Sequence, residues 1–286
     1  MQDMQDMMRR LNQSGKRLSK GHRKIAEYIV EHYDKAVFMT ASKLGEKVGV
    51  SESTVVRFAS ELGFSGYPQL QKTLQEVVKS RLTSVQRMEA AGGEDMIEHA
   101  FSSDIDTIKA TRESISREAF NASVEAINRA KHIYVLGVRS AASLASFAAF
   151  YLNFVYDSVT LIEPAGTGEA FDQAFRINKD DVCIAISFPR YSKQTINMLR
   201  FISDRGATVI SVTDSENSPI AQFATHLLLA RSSMVSFVDS LVAPLSLINA
   251  LIAAAASEKS GEVYSNLSSL ENIWDEYQIY QTHEDE

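Results

Sequence analysis

Four side chains of the types that contact nucleic acid lie close together in the sequence: Ser51, Ser53, Thr54 and Arg57. Hydroxyl groups donate to phosphates and base edges, and an arginine can bridge the O6 and N7 atoms of guanine. Lys43, a few residues earlier, is a candidate for a contact to the phosphate backbone. The pattern predicts a helix that binds DNA. The alternative is an ordinary helical hairpin with a solvated polar face.

A second set of polar and basic residues follows two apolar runs, in the segments "YVLGVRSAASLA" (134–145) and "ISFPRYSKQT" (186–195). Each run is followed by a helical pattern, and the first turn of a helix favours bound anions. Arginine adds charge and a bidentate hydrogen-bonding group. The candidates for an anion site are Arg139, Ser140, Ser187, Arg190, Ser192 and Thr195.

Simpler roles for these residues remain open. Ser140 and Ser192 can serve as helix caps, and the two arginines can form surface ion pairs. Gly137 is followed by Arg139 and Ala142 where a dinucleotide motif needs two more glycines, so no nucleotide cofactor is expected. The six histidines show no metal-ligand spacing, and we expect neither a metal nor another cofactor.

The elements around the first set fit two short helices joined at a sharp corner. Gly45 permits close approach of the second helix, Gly49 can adopt the positive φ that ends the first, and Val50 fills the corner. Thr40 and Ser51 are suitable N-caps. The shared apolar seam is predicted to contain Leu44, Val48, Val55, Phe58 and Leu62.

The wider pattern predicts an all-α helix-turn-helix domain followed by a three-layer α/β domain. Helices are expected over 22–33, after Thr40, from Ser51, over 69–88 and over 97–115. Five β-branched runs alternate with helical stretches, at 132–138, 158–163, 181–188, 207–213 and 225–230. This alternation indicates a parallel sheet. A flavodoxin-like order, 2-1-3-4-5, places both polar loops at one crevice.

Charge is divided unevenly along the chain. Residues 1–81 contain 14 Lys and Arg against 9 Asp and Glu, whereas residues 82–286 contain 15 against 27, within a net charge of -7. A basic segment on an acidic body is consistent with a DNA-binding module. We therefore expect a DNA-binding domain at 1–81, a helical linker at 82–125, which includes the paired glycines of "AAGGED" (90–95), and an α/β domain at 126–286.

Other features indicate a cytoplasmic protein without a membrane span. The N-terminus lacks the continuous apolar core of an export signal. The run 240–257 is predicted to form a buried helix, because Pro244, Asn249 and several serines interrupt it. Cys183, the only cysteine, lies in an apolar run and is expected in the core.

The segment "VGVSESTVVRFASELGFSGYPQLQ" (48–71) resembles the DNA-binding signature of RpiR/MurR-type bacterial transcription regulators. The segments 136–145, 185–195 and 206–230 resemble the landmarks of the sugar isomerase (SIS) domain of that family. The resemblance implies a DNA-binding transcriptional regulator whose SIS domain, 126–286, senses a phosphorylated sugar or a related acidic metabolite and forms dimers. It also implies a homodimer or homotetramer on a double-stranded operator.

Two loops depart from the usual SIS pattern. The common loop S-x-S-G-x-T has Pro189 and Arg190 in place of its second serine and its glycine, and Ser192 in place of the threonine. Arg139 stands where such domains commonly carry glycine. These changes narrow the pocket and add positive charge, so a smaller or more acidic ligand is an alternative to a typical sugar phosphate.

SIS domains also occur in sugar-phosphate aldose-ketose isomerases, which need a general base. Glu163, Glu169 and His226 are the candidates, but none lies in a recognisable acid-base pair, and we expect no enzyme. A third alternative is a scaffold that pairs through apolar helices. The aromatic segment "NIWDEYQIY" (272–280) suits such pairing, although packing of Trp274 on the sheet is the expected role.

Overall fold

The computed structural model describes residues 19–79, 83–90, 95–163, 167–234 and 236–280. Two compact units are present. The described residues of Met1–Ala100 and Met234–Asp239 form the first unit, and those of Phe101–Ser233 and Ser240–Glu286 form the second.

The first unit is built from short helices around one apolar core. In chain order they are α1 (Lys20–Glu31), α2 (Tyr33–Ala36), α3 (Ala41–Val48), α4 (Glu52–Glu61), α5 (Tyr67–Lys79) and α6 (Ser84–Ala90). Leu44 of α3 and Val55 and Phe58 of α4 are fully buried in this core. Thr40 caps α3, as the sequence predicts, by accepting a hydrogen bond from the backbone N–H of Lys43 at 3.3 Å.

The helix predicted over 69–88 is instead two helices, α5 and α6, although residues 80–82 lie outside the described residues. Thr83 begins the second helix through a capping box: its Oγ1 accepts from Gln86 N at 3.2 Å, and its N–H donates to Gln86 Oε1 at 2.9 Å. The local hydrogen bonds of this T-x-x-Q motif favour a new helix start over continuation of one helix.

The second unit begins with two helices, α7 (Met96–Ser114, whose first residues belong to the first unit) and α8 (Arg117–Arg129). The strands are β1 (Ile133–Gly137), β2 (Val159–Ile162), β3 (Val182–Ile186), β4 (Thr208–Thr213) and β5 (His226–Leu229). The remaining helices are α9 (Ala142–Leu152), α10 (Thr167–Ala174), α11 (Lys193–Asp204), α12 (Val242–Glu258) and α13 (Ser260–Glu276). Two two-residue strands, β6 (Ser233–Met234) and β7 (Asp239–Ser240), form a separate sheet.

The five-stranded sheet has the predicted order, β2-β1-β3-β4-β5, with every pair parallel. Alternate residues of β3 point to opposite cores: Ile184 packs among residues of α8, α9 and α12, whereas Cys183 packs among residues of α10 and α11. Helices therefore cover both faces, which confirms the three-layer α/β fold.

The remaining sequence-based expectations can be compared with the described residues. All five predicted strands are present, Cys183 is buried, and the run 240–257 forms most of α12. No helix among the described residues is long and apolar enough to cross a membrane. Of the linker "AAGGED", residues 91–94 lie outside the described residues.

Candidate functional site

The corner between α3 and α4 depends on two glycines, as the sequence predicts. Gly49 ends α3 in the left-handed conformation with φ of 72°. A Cβ atom on Gly45 would lie 2.8 Å from the carbonyl oxygen of Val50, closer than side-chain carbons approach backbone oxygens. The backbone of α3 therefore contacts the backbone of the turn at Gly45, where a larger residue would not fit.

Four of the five predicted DNA-binding residues lie on α4 and its cap, and the exposed Ser53 and Arg57 face away from the buried Val55 and Phe58. Ser51 caps the helix: its Oγ accepts from Thr54 N at 3.3 Å and lies 2.9 Å from Ser53 Oγ. Arg57 follows one turn later and is exposed. Lys43 is exposed on the preceding helix α3. The hydroxyl residues thus form one group beside the helix start, with Arg57 next along the same helix.

Thr54 has a partly structural role that its sequence position does not reveal. It is half-buried, its Oγ1 lies 2.8 Å from Ser51 Oγ, and a Cβ atom on Gly21 would contact its methyl carbon at 3.4 Å. The methyl group therefore faces α1 while the hydroxyl group stays with Ser51.

Sequence reasoning missed the link that fixes α4 against α1. The Nδ1 atom of His22 contacts the carboxylate of Glu61, and the His22 ring packs edge-on against Phe58 with ring centroids 5.7 Å apart. The residues are 39 positions apart, so no local pattern predicts the pair. It orients the helix that carries Arg57.

The second candidate site lies at the carboxyl ends of β1 and β3, which are neighbours in the sheet. Gly137, the last residue of β1, is in register with Ile186, the last residue of β3, so the two polar loops leave the sheet at the same level. A Cβ atom on Gly137 would lie 2.6 Å from the carbonyl oxygen of Ala141. Glycine therefore allows the turn that leads into α9 to pack directly on the strand. The chain order reverses between these strands, which is where α/β sheets bind ligands.

Both arginines of these loops adopt a backbone conformation that usually belongs to glycine. Arg139 has φ of 57° and Arg190 has φ of 69°, and both side chains are exposed. A non-glycine residue in the left-handed region costs roughly 1–2 kcal/mol. These are the positions at which SIS-type patterns carry glycine, so the backbone geometry is kept although the residue differs.

The hydroxyl residues of the two loops occupy different environments. Ser192 caps α11 by accepting from Gln194 N at 3.2 Å, whereas Ser140 lies within the single 3-10 turn Arg139–Ala141 and caps no helix. Ser187 is buried. Thr195, in the first turn of α11, is fully buried, and its Oγ1 has no hydrogen-bond partner among the described residues. An unpaired buried hydroxyl costs roughly 1–3 kcal/mol, so Thr195 retains capacity to bind a ligand atom.

A third loop, after β4, reaches the same edge of the sheet and was not selected from the sequence. The hydroxyl group of Tyr191 donates to Asp214 Oδ1 at 2.7 Å, which ties the β3 loop to the end of β4. Burial, followed by the nearby charge of Asp214, raises the pKa of the Tyr191 hydroxyl. The hydroxyl group of Ser218, later in the β4 loop, is also buried without a hydrogen-bond partner among the described residues. In the sequence, the only signal for Tyr191, Asp214 and Ser218 is their position in polar turns after strands.

The three candidate general bases do not converge on one point. Glu163 follows β2 at the carboxyl edge of the sheet, Glu169 is exposed on α10, and His226 begins β5 at the opposite edge. Within the described part of the chain, no group of three or more His, Cys, Asp or Glu residues is placed to hold a metal ion. The loops at the carboxyl edge carry arginine and hydroxyl side chains, which are groups of the types that recognise anions.

The first unit is a helix-turn-helix, and the second is a three-layer α/β unit with arginine and hydroxyl side chains at one edge of its sheet. This combination is typical of transcriptional regulators that respond to a ligand. A sequence model of the helix-turn-helix domain of the rpiR family matches residues 5–81, and one of the SIS domain matches residues 126–254. The chain belongs to the RpiR family of transcriptional regulators. The resemblance seen in the sequence and the predicted fold are thereby confirmed.

Characterised relatives are similar over most of their length. The chain is 26% identical over 229 residues to the HTH-type transcriptional regulator HexR of Escherichia coli, covering 77% of this chain and 76% of HexR. It is 26% identical over 231 residues to the HTH-type transcriptional regulator GlvR of Bacillus subtilis, covering 80% and 85%. These relatives are regulators, which supports a role in transcription over one in catalysis.

Two solved structures share the fold. The NanR protein of Vibrio vulnificus, complexed with ManNAc-6P, is 22% identical, with a TM-score of 0.58 over 94% of this chain and 98% of that one. The sugar isomerase domain of an RpiR transcription factor from Sphaerobacter thermophilus is 29% identical, with a TM-score of 0.57 over 60% of this chain and 96% of that domain.

Proposed function

We propose that this regulator binds its operator through α4 and that an anionic metabolite at the carboxyl ends of β1 and β3 controls this binding. The observation that carries the proposal is the pair of arginines, Arg139 and Arg190, held in a glycine-like backbone conformation on the two loops. Arginine is unfavourable there, and strained backbone is concentrated at functional sites. We therefore assign both guanidinium groups to anion recognition.

The proposed effector is a phosphorylated sugar or a related acidic metabolite. Arg139, Ser140, Ser187, Arg190, Ser192 and Thr195 are the proposed binding residues. The first turns of α9 and α11 and the arginines favour a phosphate or carboxylate, and the hydroxyl groups favour a polyhydroxy compound. The V. vulnificus NanR structure contains a sugar phosphate, which supports this class. The arginines in place of glycines favour a compact ligand with more negative charge.

On the DNA side, the proposed contacts are Ser51, Ser53, Thr54, Arg57 and Lys43. The functional division we propose is DNA binding by residues 1–81, a helical linker over 82–125, and sensing and dimerisation by 126–286. One helix-turn-helix covers half an operator, so we propose a homodimer or homotetramer on two-fold DNA in the cytoplasm. An effector coupling of about 1–3 kcal/mol changes DNA affinity from several-fold to over a hundredfold.

The protein is proposed to sense its ligand without converting it. His226 lies at the edge of the sheet opposite the arginines, and Glu163 and Glu169 are exposed. None of these groups faces another in an acid-base pair among the described residues. Incubation with hexose and pentose phosphates, followed by chromatography of the products, should show no aldose-ketose interconversion. Turnover would favour the isomerase alternative.

The DNA-binding part of the proposal is tested by selecting genomic fragments that bind the protein and measuring the affinity of the protein for the best fragment. Arg57→Ala should weaken binding by roughly 1–3 kcal/mol if Arg57 contacts a base. Arg129→Ala removes an exposed arginine that pairs with Glu125 on α8, and it should leave affinity unchanged. Equal affinity of the Arg57 variant and the wild type would remove Arg57 from the interface.

The effector assignment is tested with the same fragment and a panel of sugar phosphates and acidic metabolites. A compound that changes wild-type DNA affinity should have no effect on Arg190→Ala, although this variant should bind the fragment as tightly as wild type in the absence of the compound. The expected reason is loss of the guanidinium group that pairs with the anion. An unaltered dose-response curve would contradict the crevice assignment.

A further inference from the structure

The loop after β3 is joined to β4 at two points. At the start of the loop, the N–H of Ser187 donates to the carbonyl oxygen of Val212 at 3.1 Å. Near its end, the hydroxyl group of Tyr191 donates to Asp214 Oδ1 at 2.7 Å, and Thr213 Oγ1 donates to the same oxygen at 3.3 Å. Asp214 directly follows β4, so this second point lies at the carboxyl edge of the sheet.

Arg190 lies between these two points, and its neighbours leave its backbone little freedom. Phe188 is buried in the sheet core, and Pro189 is buried beside it. Proline also restricts its own φ. On the other side of Arg190, Tyr191 is held through its hydroxyl group, and Ser192 caps α11. Residues on both sides therefore set the direction in which the Arg190 side chain leaves the loop.

The left-handed backbone of Arg190 depends on such support. A non-glycine residue with φ of 69° is in an unfavourable conformation, which persists only where surrounding contacts impose it. The hydrogen bond from Tyr191 to Asp214 ends on a carboxylate, and such bonds are stronger than those between neutral groups. Without this bond, the loop can relax toward a common backbone conformation, and the guanidinium group then changes direction.

Asp214 also places a carboxylate at the edge of the sheet where an anion is proposed to bind. Its negative charge repels an anion, whereas its hydrogen bond to Tyr191 holds the loop that carries Arg190. These two effects on anion binding have opposite signs. They can be separated, because asparagine at position 214 removes the charge and keeps an acceptor oxygen.

We propose that Tyr191 and Asp214 are positioning residues of the effector site, which hold the guanidinium group of Arg190 where the anionic group of the effector binds. The inference rests on the proposed function, because that function assigns Arg190 to anion recognition. In this role, neither Tyr191 nor Asp214 has to touch the effector. A loop that is ordered on folding binds more tightly than one that must be ordered on binding.

Inorganic phosphate is the probe, and its dissociation constant for the full chain is measured by isothermal titration calorimetry in a chloride buffer. Tyr191→Phe removes only the hydroxyl group. It should weaken phosphate binding by about tenfold or more, the effect expected when a hydrogen bond to a charged group is lost. Asp214→Asn should bind phosphate at least as tightly as the wild type, because the acceptor remains and the repulsive charge is gone.

The decisive comparison is the effect of Tyr191→Phe in two backgrounds. In Asp214→Asn, Tyr191→Phe should still weaken phosphate binding. In Asp214→Ala it should have no effect, because no acceptor remains at that position for the Tyr191 hydroxyl group to lose. A residue that only stabilises the fold would not give this dependence of phosphate affinity on the acceptor at position 214.

Tyr156→Phe is the matched control, because the Tyr156 hydroxyl group donates to Asn128 Oδ1 at 2.6 Å elsewhere in the same unit. This variant should lose thermal stability, as Tyr191→Phe does, and keep the wild-type affinity for phosphate. Limited digestion with trypsin gives a readout without phosphate. Cleavage after Arg190, identified by mass spectrometry, should be faster in Tyr191→Phe than in the wild type or in Tyr156→Phe.

Phosphate binding that Tyr191→Phe leaves unchanged would overturn the inference. So would an equal effect of Tyr191→Phe in the Asp214→Asn and Asp214→Ala backgrounds. In both cases, loss of phosphate binding in Arg190→Ala would leave the proposed function standing. Phosphate binding that survives Arg190→Ala, or a wild type that binds no phosphate, would overturn this inference together with the effector assignment.

Discussion

The left-handed backbone of Arg190 gives a prediction about stability that separates backbone strain from side-chain charge. We compare Arg190→Gly with Arg190→Ala, since both remove the guanidinium group and all of its contacts. With φ at 69°, alanine keeps the steric cost of roughly 1–2 kcal/mol, whereas glycine removes it. Glycine also makes the unfolded chain more flexible, which costs about 0.4–1 kcal/mol. The glycine variant should be more stable than the alanine variant by about 0.5–1 kcal/mol.

The measurement is thermal unfolding of the α/β unit within the full chain. A unit of this size shifts its Tm by roughly 2–4 °C for each kcal/mol, so a difference of about 1–4 °C is expected. Arg200, exposed in the middle of α11, supplies the control. There Arg200→Gly should be less stable than Arg200→Ala by about 1 kcal/mol, because glycine is unfavourable within a helix.

The two substitutions at Arg190 should behave alike toward the effector, because both lack the positive charge. An alanine variant as stable as the glycine variant would refute the assignment of a strained left-handed residue. A glycine variant that keeps the wild-type effector response would show that the charge is not used.

Three further outcomes are expected. Gly45→Ala should destabilise the first unit by about 1–3 kcal/mol and weaken DNA binding, because its Cβ would meet the Val50 carbonyl oxygen at 2.8 Å; thermal melts and DNA titration measure both effects. Burial raises the pKa of the Cys183 thiol to about 12, so alkylation at pH 8 should be slow until urea unfolds the protein, and rapid native labelling would contradict its burial. Burial raises the pKa of Tyr67 from 10.0 to about 12, so its contribution to stability is complete below pH 10 and is lost as pH rises toward 12. Tyr67→Phe, which also loses a 2.8 Å hydrogen bond to Met39 O, should lack this alkaline loss in unfolding titrations, and an identical pH profile would exclude Tyr67 as its source.

The local parts of the fold could be read from the sequence because they depend on neighbouring residues. Gly45, Gly49 and Ser51 determine the corner before α4 through backbone conformation and a cap within a few positions. The β-branched runs gave all five strands, and their alternation with helices indicated a parallel sheet, whose order was expected by analogy with flavodoxin-like folds. The prediction of a single helix over 69–88 was wrong for a local reason as well, because the capping box at Thr83 starts a new helix.

Only part of the candidate site could be predicted from the sequence. The loops after β1 and β3 could be placed at one edge, since the carboxyl ends of parallel strands meet there. The positive φ of Arg139 and Arg190 could not be predicted from the sequence, because arginine residues rarely adopt that backbone conformation. Tertiary packing imposes it: Phe188 is buried on one side of Arg190, and Tyr191 is tied to Asp214 on the other.

By itself, the sequence determined which segments form helices and strands, where the helix-turn-helix bends and which loops share an edge, because propensity, periodicity and capping act over a few residues. Tertiary structure alone decided which distant residues meet. His22 reaches Glu61, Tyr191 reaches Asp214, and Phe154 reaches Trp274. Such pairs form only when whole elements pack, and their partners leave no signal in the local sequence.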